Sequence, residues 1–97
     1  MNIGLKEELI KKIKDTLKQN SKVQSVILFG SRAKGVAKNG SDIDLAIVGD
    51  GIDFKDLCKM GAKLDELDLP YKIDIINYNS IANEELKEHI DRVGICL

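Results

Sequence analysis

The sequence predicts a small α/β domain, a short β-sheet with helices packed on it. Three observations lead there. Apolar residues recur at helical spacing in three separate stretches, apolar runs of strand length lie between them, and Gly, Pro and Asn punctuate the joints. With 97 residues, 43% of them apolar, the chain has room for one compact domain spanning residues 1–97. Only two Phe, two Tyr and no Trp are present, so its core must be aliphatic, built from Ile, Leu and Val.

The elements follow in order. Leu5, Leu9, Ile10, Ile13 and Leu17 form the apolar stripe of an amphipathic helix that stops near Asn20-Ser21, with Lys11, Lys12, Lys14 and Lys18 on its solvated face. Val23 to Phe29 reads as a strand, and its continuous run Val26-Ile27-Leu28-Phe29 suits one covered on both faces. Gly30 to Ser41, with three glycines and three basic residues, is a polar loop or short helical turn. Asp42 to Val48 is a second strand, closed by Gly49-Asp50-Gly51. Phe54, Leu57, Cys58, Gly61 and Leu64 outline a second helix, with Asp53 available as its N-cap. Pro70 interrupts the chain before a third strand, Lys72 to Ile76. Ser80 or Asn83 can cap a last helix carrying Leu86, Ile90 and Val93, with Gly94 at its C-terminal end.

Composition excludes several function classes. A formal net charge of -1, from 15 basic and 16 acidic residues, argues against a general nucleic-acid-binding surface. No apolar run approaches the ~20 residues of a membrane span, and charge from Lys6 onward leaves no signal-peptide core. Cys58 and Cys96 belong to no metal-type or redox-type spacing and read as ordinary reduced thiols. Together these give a soluble, cytoplasmic protein as the expectation.

The chemistry concentrates on acidic residues placed where strands disfavour them. Asp42 and Asp44 are two apart on a predicted strand, so both carboxylates point to one face while Ile43, Leu45 and Ile47 bury the other. Two adjacent anions repel and raise each other's pKa unless a positive charge lies between them. Within the predicted strands the only basic residues are Lys22 and Lys72, both near strand starts, which makes a divalent cation the better partner. Hard oxygen ligands suit Mg²⁺. Asp74, flanked by isoleucines in mid-strand, adds a third carboxylate if its strand pairs beside the first two; three such groups can hold two metal ions about 3.5–4 Å apart for in-line phosphoryl displacement.

Upstream lies Gly30-Ser31-Arg32-Ala33-Lys34-Gly35. Gly30 lets the backbone turn tightly, Ser31 offers a hydroxyl, and the following amides suit phosphate. Arg32 and Lys34 can add charge toward a triphosphate, although Arg32 has the alternative of packing along the surface. Ten residues, Arg32 to Ser41, separate Gly30-Ser31 from Asp42-Ile43-Asp44.

That spacing resembles the Gly-Ser, ten residues, Asp-x-Asp signature of the polymerase-beta-like nucleotidyltransferase superfamily. The stretch GSRAKGVAKNGSDIDLAIV, with Asp74 in KIDIINY as third carboxylate, resembles its minimal nucleotidyltransferase (MNT) branch over nearly the whole chain. The resemblance implies the nucleotidyltransferase fold with a small mixed sheet, ATP as substrate and two Mg²⁺ ions. It places Gly30, Ser31, Arg32, Lys34 and Ser41 on the nucleotide, and Asp42, Asp44 and Asp74 on metal. It also implies a partner, since short members act as antitoxins that attach AMP to a tyrosine of a helical HEPN toxin. Two other readings stand beside this one: an antitoxin that acts by occlusion alone, and a subunit that modifies a small-molecule hydroxyl. Self-association is left open. His89 is expected at the surface or half-buried, Tyr71 and Tyr78 in packing, and Asp50, Asp53, Asp56, Asp65, Glu66 and Asp68 on a solvated surface.

Overall fold

The computed structural model describes residues 5–30, 32–34 and 42–97. Helix α1 (Glu7–Lys18) leads into strand β1 (Val23–Phe29); strand β2 (Ile43–Gly49), helix α2 (Phe54–Asp65), strand β3 (Ile73–Asn77), a 3-10 turn (Tyr78–Ser80), helix α3 (Glu84–Val93) and a two-residue strand β4 (Ile95–Cys96) follow. Among the described residues, no helix is long and apolar enough to cross a membrane.

The four strands form one mixed sheet in the order β3-β2-β1-β4. Strands β1 and β2 are antiparallel, β2 and β3 parallel, and β4 antiparallel to β1. On one face, Ile13 and Leu17 of α1 and Met60 and Leu64 of α2 close over Val26, Leu28, Ile43, Leu45 and Ile47, an aliphatic core as expected. The other face of β1 carries Ile27 and Phe29 and is covered by α3. That cover is thinner, so β1 alternates buried with half-buried residues and is less completely enclosed than its apolar run suggests.

Asp53 caps α2 as predicted, and more fully than predicted. Its carboxylate accepts the Asp56 N–H at 2.8 Å while the Asp56 carboxylate accepts the Asp53 N–H at 3.1 Å, a reciprocal capping box. Asp56 also accepts from Lys22 Nζ at 2.8 Å, so it is a tie between α2 and the start of β1 rather than part of a solvated acidic surface. The buried side of α2 is rotated from the expected stripe: it centres on Leu57, Met60 and Leu64, while Cys58 is exposed and Phe54 is 80% exposed. Phe54 and Cys58 fit the 3.6-residue period nearly as well as Met60, and periodicity alone does not choose between overlapping stripes.

Asn83, not Ser80, caps α3, its side chain accepting the Leu86 N–H at 3.1 Å. Ser80 instead ends the 3-10 turn, where its hydroxyl meets Asn77. Gly94 follows α3 with φ −61, so no left-handed cap forms; glycine is required there because a Cβ would run into Ile90 O and Ile27 Cγ2. That close approach lets the chain turn at once into β4, a strand too short to show in the sequence pattern.

Candidate active site

The register of the sheet brings two of the predicted residues, Asp44 and Asp74, side by side. Asp44 stands opposite Phe29 on the antiparallel side and opposite Asp74 on the parallel side. Each Asp is the second residue of its strand, preceded by an isoleucine on the core face, and the parallel ladder opens with the Ile43 N–H donating to Lys72 O at 2.9 Å. Asp42 lies just before β2 and is exposed. Asp44 is half-buried, and its carboxyl is held above the usual range, first by burial and then by the negative charges of Asp74 and Asp42.

Cationic relief is slight. Lys72 Nζ lies 3.9 Å from Asp74 Oδ1, with both side chains well exposed, and none of the other described ion pairs involves Asp42 or Asp44. The described residues include no closed cluster of three His, Cys, Asp or Glu ligands. The three carboxylates share a patch without converging on one point. Their donor set nevertheless fits a hard divalent cation: oxygen ligands from two hydrogen-bonded strands, with mutual repulsion already acting on the central one.

Gly30 closes the site. It has φ +77, a left-handed conformation that suits glycine, and a Cβ there would strike Asp44 Oδ2. The turn after β1 therefore lies at the same end of the sheet as the carboxylates, in contact with that of Asp44. The Lys34 N–H donates to Gly30 O at 3.2 Å, and Lys34 itself is exposed. Arg32 is 3% exposed, with its guanidinium carbon 4.8 Å from the centre of the Tyr71 ring, so it packs inward and not along the surface. Ser31 and Ser41 lie outside the described residues.

His89 is half-buried, as expected, but its place was not foreseen. Its Nε2 accepts the Gly30 N–H at 3.3 Å, and its ring meets Phe29 edge-on at 6.3 Å between centroids. Nothing in the sequence ties it to a turn 59 residues away. Tyr71 packs against Arg32, and the Tyr78 hydroxyl donates to Asp91, a bond that holds the phenol above its ordinary pKa.

A small mixed sheet with the Gly30 turn against Asp44 at one end is the fold of a nucleotidyl-transferring enzyme. Residues 11–97 match the family described as polymerase beta, nucleotidyltransferase, and the chain belongs to that family. Among its relatives is a Haemophilus influenzae protein described as the probable protein adenylyltransferase MntA, 32% identical over 96 residues that cover 98% of this chain and 83% of the relative. A solved toxin–antitoxin complex with AMP-PNP contains a chain with a TM-score of 0.73 and 29% identity, the match covering 89% of this chain and 69% of that one. A second, the tri-AMPylated Shewanella oneidensis HEPN toxin in complex with MNT antitoxin, contains one with a TM-score of 0.66 and 27% identity, covering 89% and 66%.

Proposed function

We propose that this chain transfers AMP from ATP to a hydroxyl of a second protein, a helical HEPN-type toxin whose tyrosine is the acceptor, and thereby acts as its antitoxin. The observation that carries the reading is the placement of Asp44 between Asp74 and the Gly30 turn. Phosphate groups and the atoms that activate an attacking hydroxyl are needed on opposite sides of the reacting phosphorus, and Asp44 is central to both.

In this reading the turn that Gly30 opens, with the Ser31 hydroxyl, receives the β- and γ-phosphates, Lys34 adds positive charge from an exposed position, and Arg32 braces the turn through Tyr71. Asp42, Asp44 and Asp74 would hold Mg²⁺. When bound, Mg²⁺ neutralises charge on the triphosphate and the departing pyrophosphate. Asp74, on the end strand of the sheet with its side chain 47% exposed, faces the side from which a second polypeptide can approach. Its carboxylate draws the proton from the acceptor hydroxyl. The hydroxyl oxygen forms the bond to the α-phosphorus as the bond to the β-phosphate bridging oxygen breaks. Positioning and electrostatics supply most of the rate in such chemistry.

The relatives' descriptions as adenylyltransferase and MNT antitoxin support the choice of AMP and of a toxin acceptor. Incubation of the purified chain with a HEPN-type toxin and with ATP labelled in the α-phosphate tests the proposal. Label on the toxin supports it. Inhibition of the toxin without label would favour occlusion.

A further inference from the structure

The Gly30 amide is held in a way that the sheet itself cannot provide. Successive residues of a strand direct their backbone groups to alternate sides. Val26 O accepts the Leu97 N–H, so the backbone groups of Val26 and Leu28, and the Gly30 N–H, are directed toward β4. Strand β4 has only two residues, pairing Ile27 with Cys96 and Leu28 with Ile95. Continued along β1, that register would set Gly30 against Val93, but Val93 is the last residue of α3. The helix ends where a ladder partner would have to stand. One turn earlier on the same helix, His89 Nε2 takes the amide at 3.3 Å.

The imidazole is well placed for this. Its ring is braced edge-on against Phe29, the residue before Gly30. The neighbouring Ile90 is 1% exposed and anchors α3, so the helix cannot easily rotate His89 away. An acceptor at Nε2 requires a neutral ring with its proton on Nδ1. Gly30 O is meanwhile taken by the Lys34 N–H, so both backbone groups of this glycine are satisfied within the protein.

We infer that His89 is a positioning residue for nucleotide binding: by accepting the Gly30 N–H it fixes the direction in which the phosphate-binding turn leaves the sheet. This rests on the proposed function, which puts the triphosphate on that turn. It adds that α3, which supplies no carboxylate to the site, controls the site's affinity for ATP. Loss of the bond would free the turn without moving the Asp44–Asp74 pair, so the effect should fall on nucleotide and spare the acceptor.

The test compares wild type, His89→Leu and His89→Gln by calorimetric binding of Mg-AMP-PNP and by hydrogen exchange of the Gly30 amide. Leu keeps the apolar volume without an acceptor, whereas the Gln amide oxygen can reach the place of Nε2. The expected result is affinity weakened about tenfold, with loss of amide protection, in the Leu variant; this is the scale of one lost hydrogen bond. Gln should restore protection and bring affinity within about threefold of wild type. Wild-type affinity in the Leu variant, or equal loss in both variants, would overturn the inference. Should the Leu variant fail to fold, the Gln variant decides alone: retained protection and affinity support the role, and their loss overturns it. Failure of the wild type to transfer AMP would sink the proposed function instead, and both measurements on AMP-PNP would still read the His89 bond.

Discussion

Asp44 and Asp74 oppose each other across the parallel pairing of β2 and β3, each one residue in from the start of its strand. Both strands begin Ile-Asp, so one apolar side chain enters the core as the next carboxylate emerges on the other face. Burial first, and then repulsion from Asp74 and Asp42, disfavour the charged form of Asp44 and raise its carboxyl. A bound cation would relieve that repulsion.

The first prediction concerns that relief. Mg²⁺ at about a hundred times its Kd should stabilise the wild type by about 2.7 kcal/mol, and a chelator should reverse the gain. Asp42→Asn together with Asp44→Asn should remove most of this response without lowering the melting temperature measured in chelator, because clustered like charge has been taken away. A variant that still gains the full increment would show that these residues do not hold the ion.

Gly30→Ala introduces two faults. The left-handed backbone costs about 1–2 kcal/mol for a residue with a Cβ, and the added carbon must displace the Asp44 carboxylate. Transfer should therefore fall by on the order of a hundredfold, well beyond what the stability loss explains. Urea unfolding and initial rates on the same preparation separate the two effects.

A third prediction isolates the turn's underside. Arg32 over Tyr71 is a buried cation–π contact, worth about 1–2 kcal/mol. Arg32→Lys and Tyr71→Leu should each destabilise the fold, and the double variant should lose less than the sum of the two. Strict additivity in denaturant titrations would mean that the rings and guanidinium are not coupled.

The fourth is a pH dependence with a definite sign. Lys22 and Asn20 side chains and the Asp53 amide all donate to Asp56, with Lys22 the largest influence, and hold its carboxyl well below its ordinary value of 3.8. A depressed folded value means that Asp56 contributes stability in full above that ordinary range and loses it as acid protonates the folded state. The melting-temperature gap between wild type and Asp56→Asn should thus be constant from about pH 7 to about pH 5 and shrink in stronger acid. A gap that widens on acidification would contradict the assignment.

Much of this molecule was legible before its structure. Gly30-Ser31 and Asp42-x-Asp44 marked a candidate site by resembling a family signature, and Asp74 stood out because a strand of isoleucines has little use for it. The caps Asp53 and Asn83 were readable from type and position. What escaped was set by tertiary contact. A two-residue β4 carries no periodicity, the α2 face depended on which of two overlapping stripes met the sheet, and Asp56 is a tie only because Lys22 lies across from it. His89 reaches the turn, and Arg32 packs on Tyr71, through contacts between distant segments that no spacing along the chain records.

If Asp42, Asp44 and Asp74 form one nucleotidyl-transferring centre, they act together on the acceptor. Intact mass of a HEPN-type toxin, taken after incubation with Mg-ATP and either the wild-type chain or the Asp42→Asn, Asp44→Asn double variant, reads this out. The toxin should gain one or more AMP units with the wild type and none with the variant. Equal gains with both, or none with either, would rule the centre out.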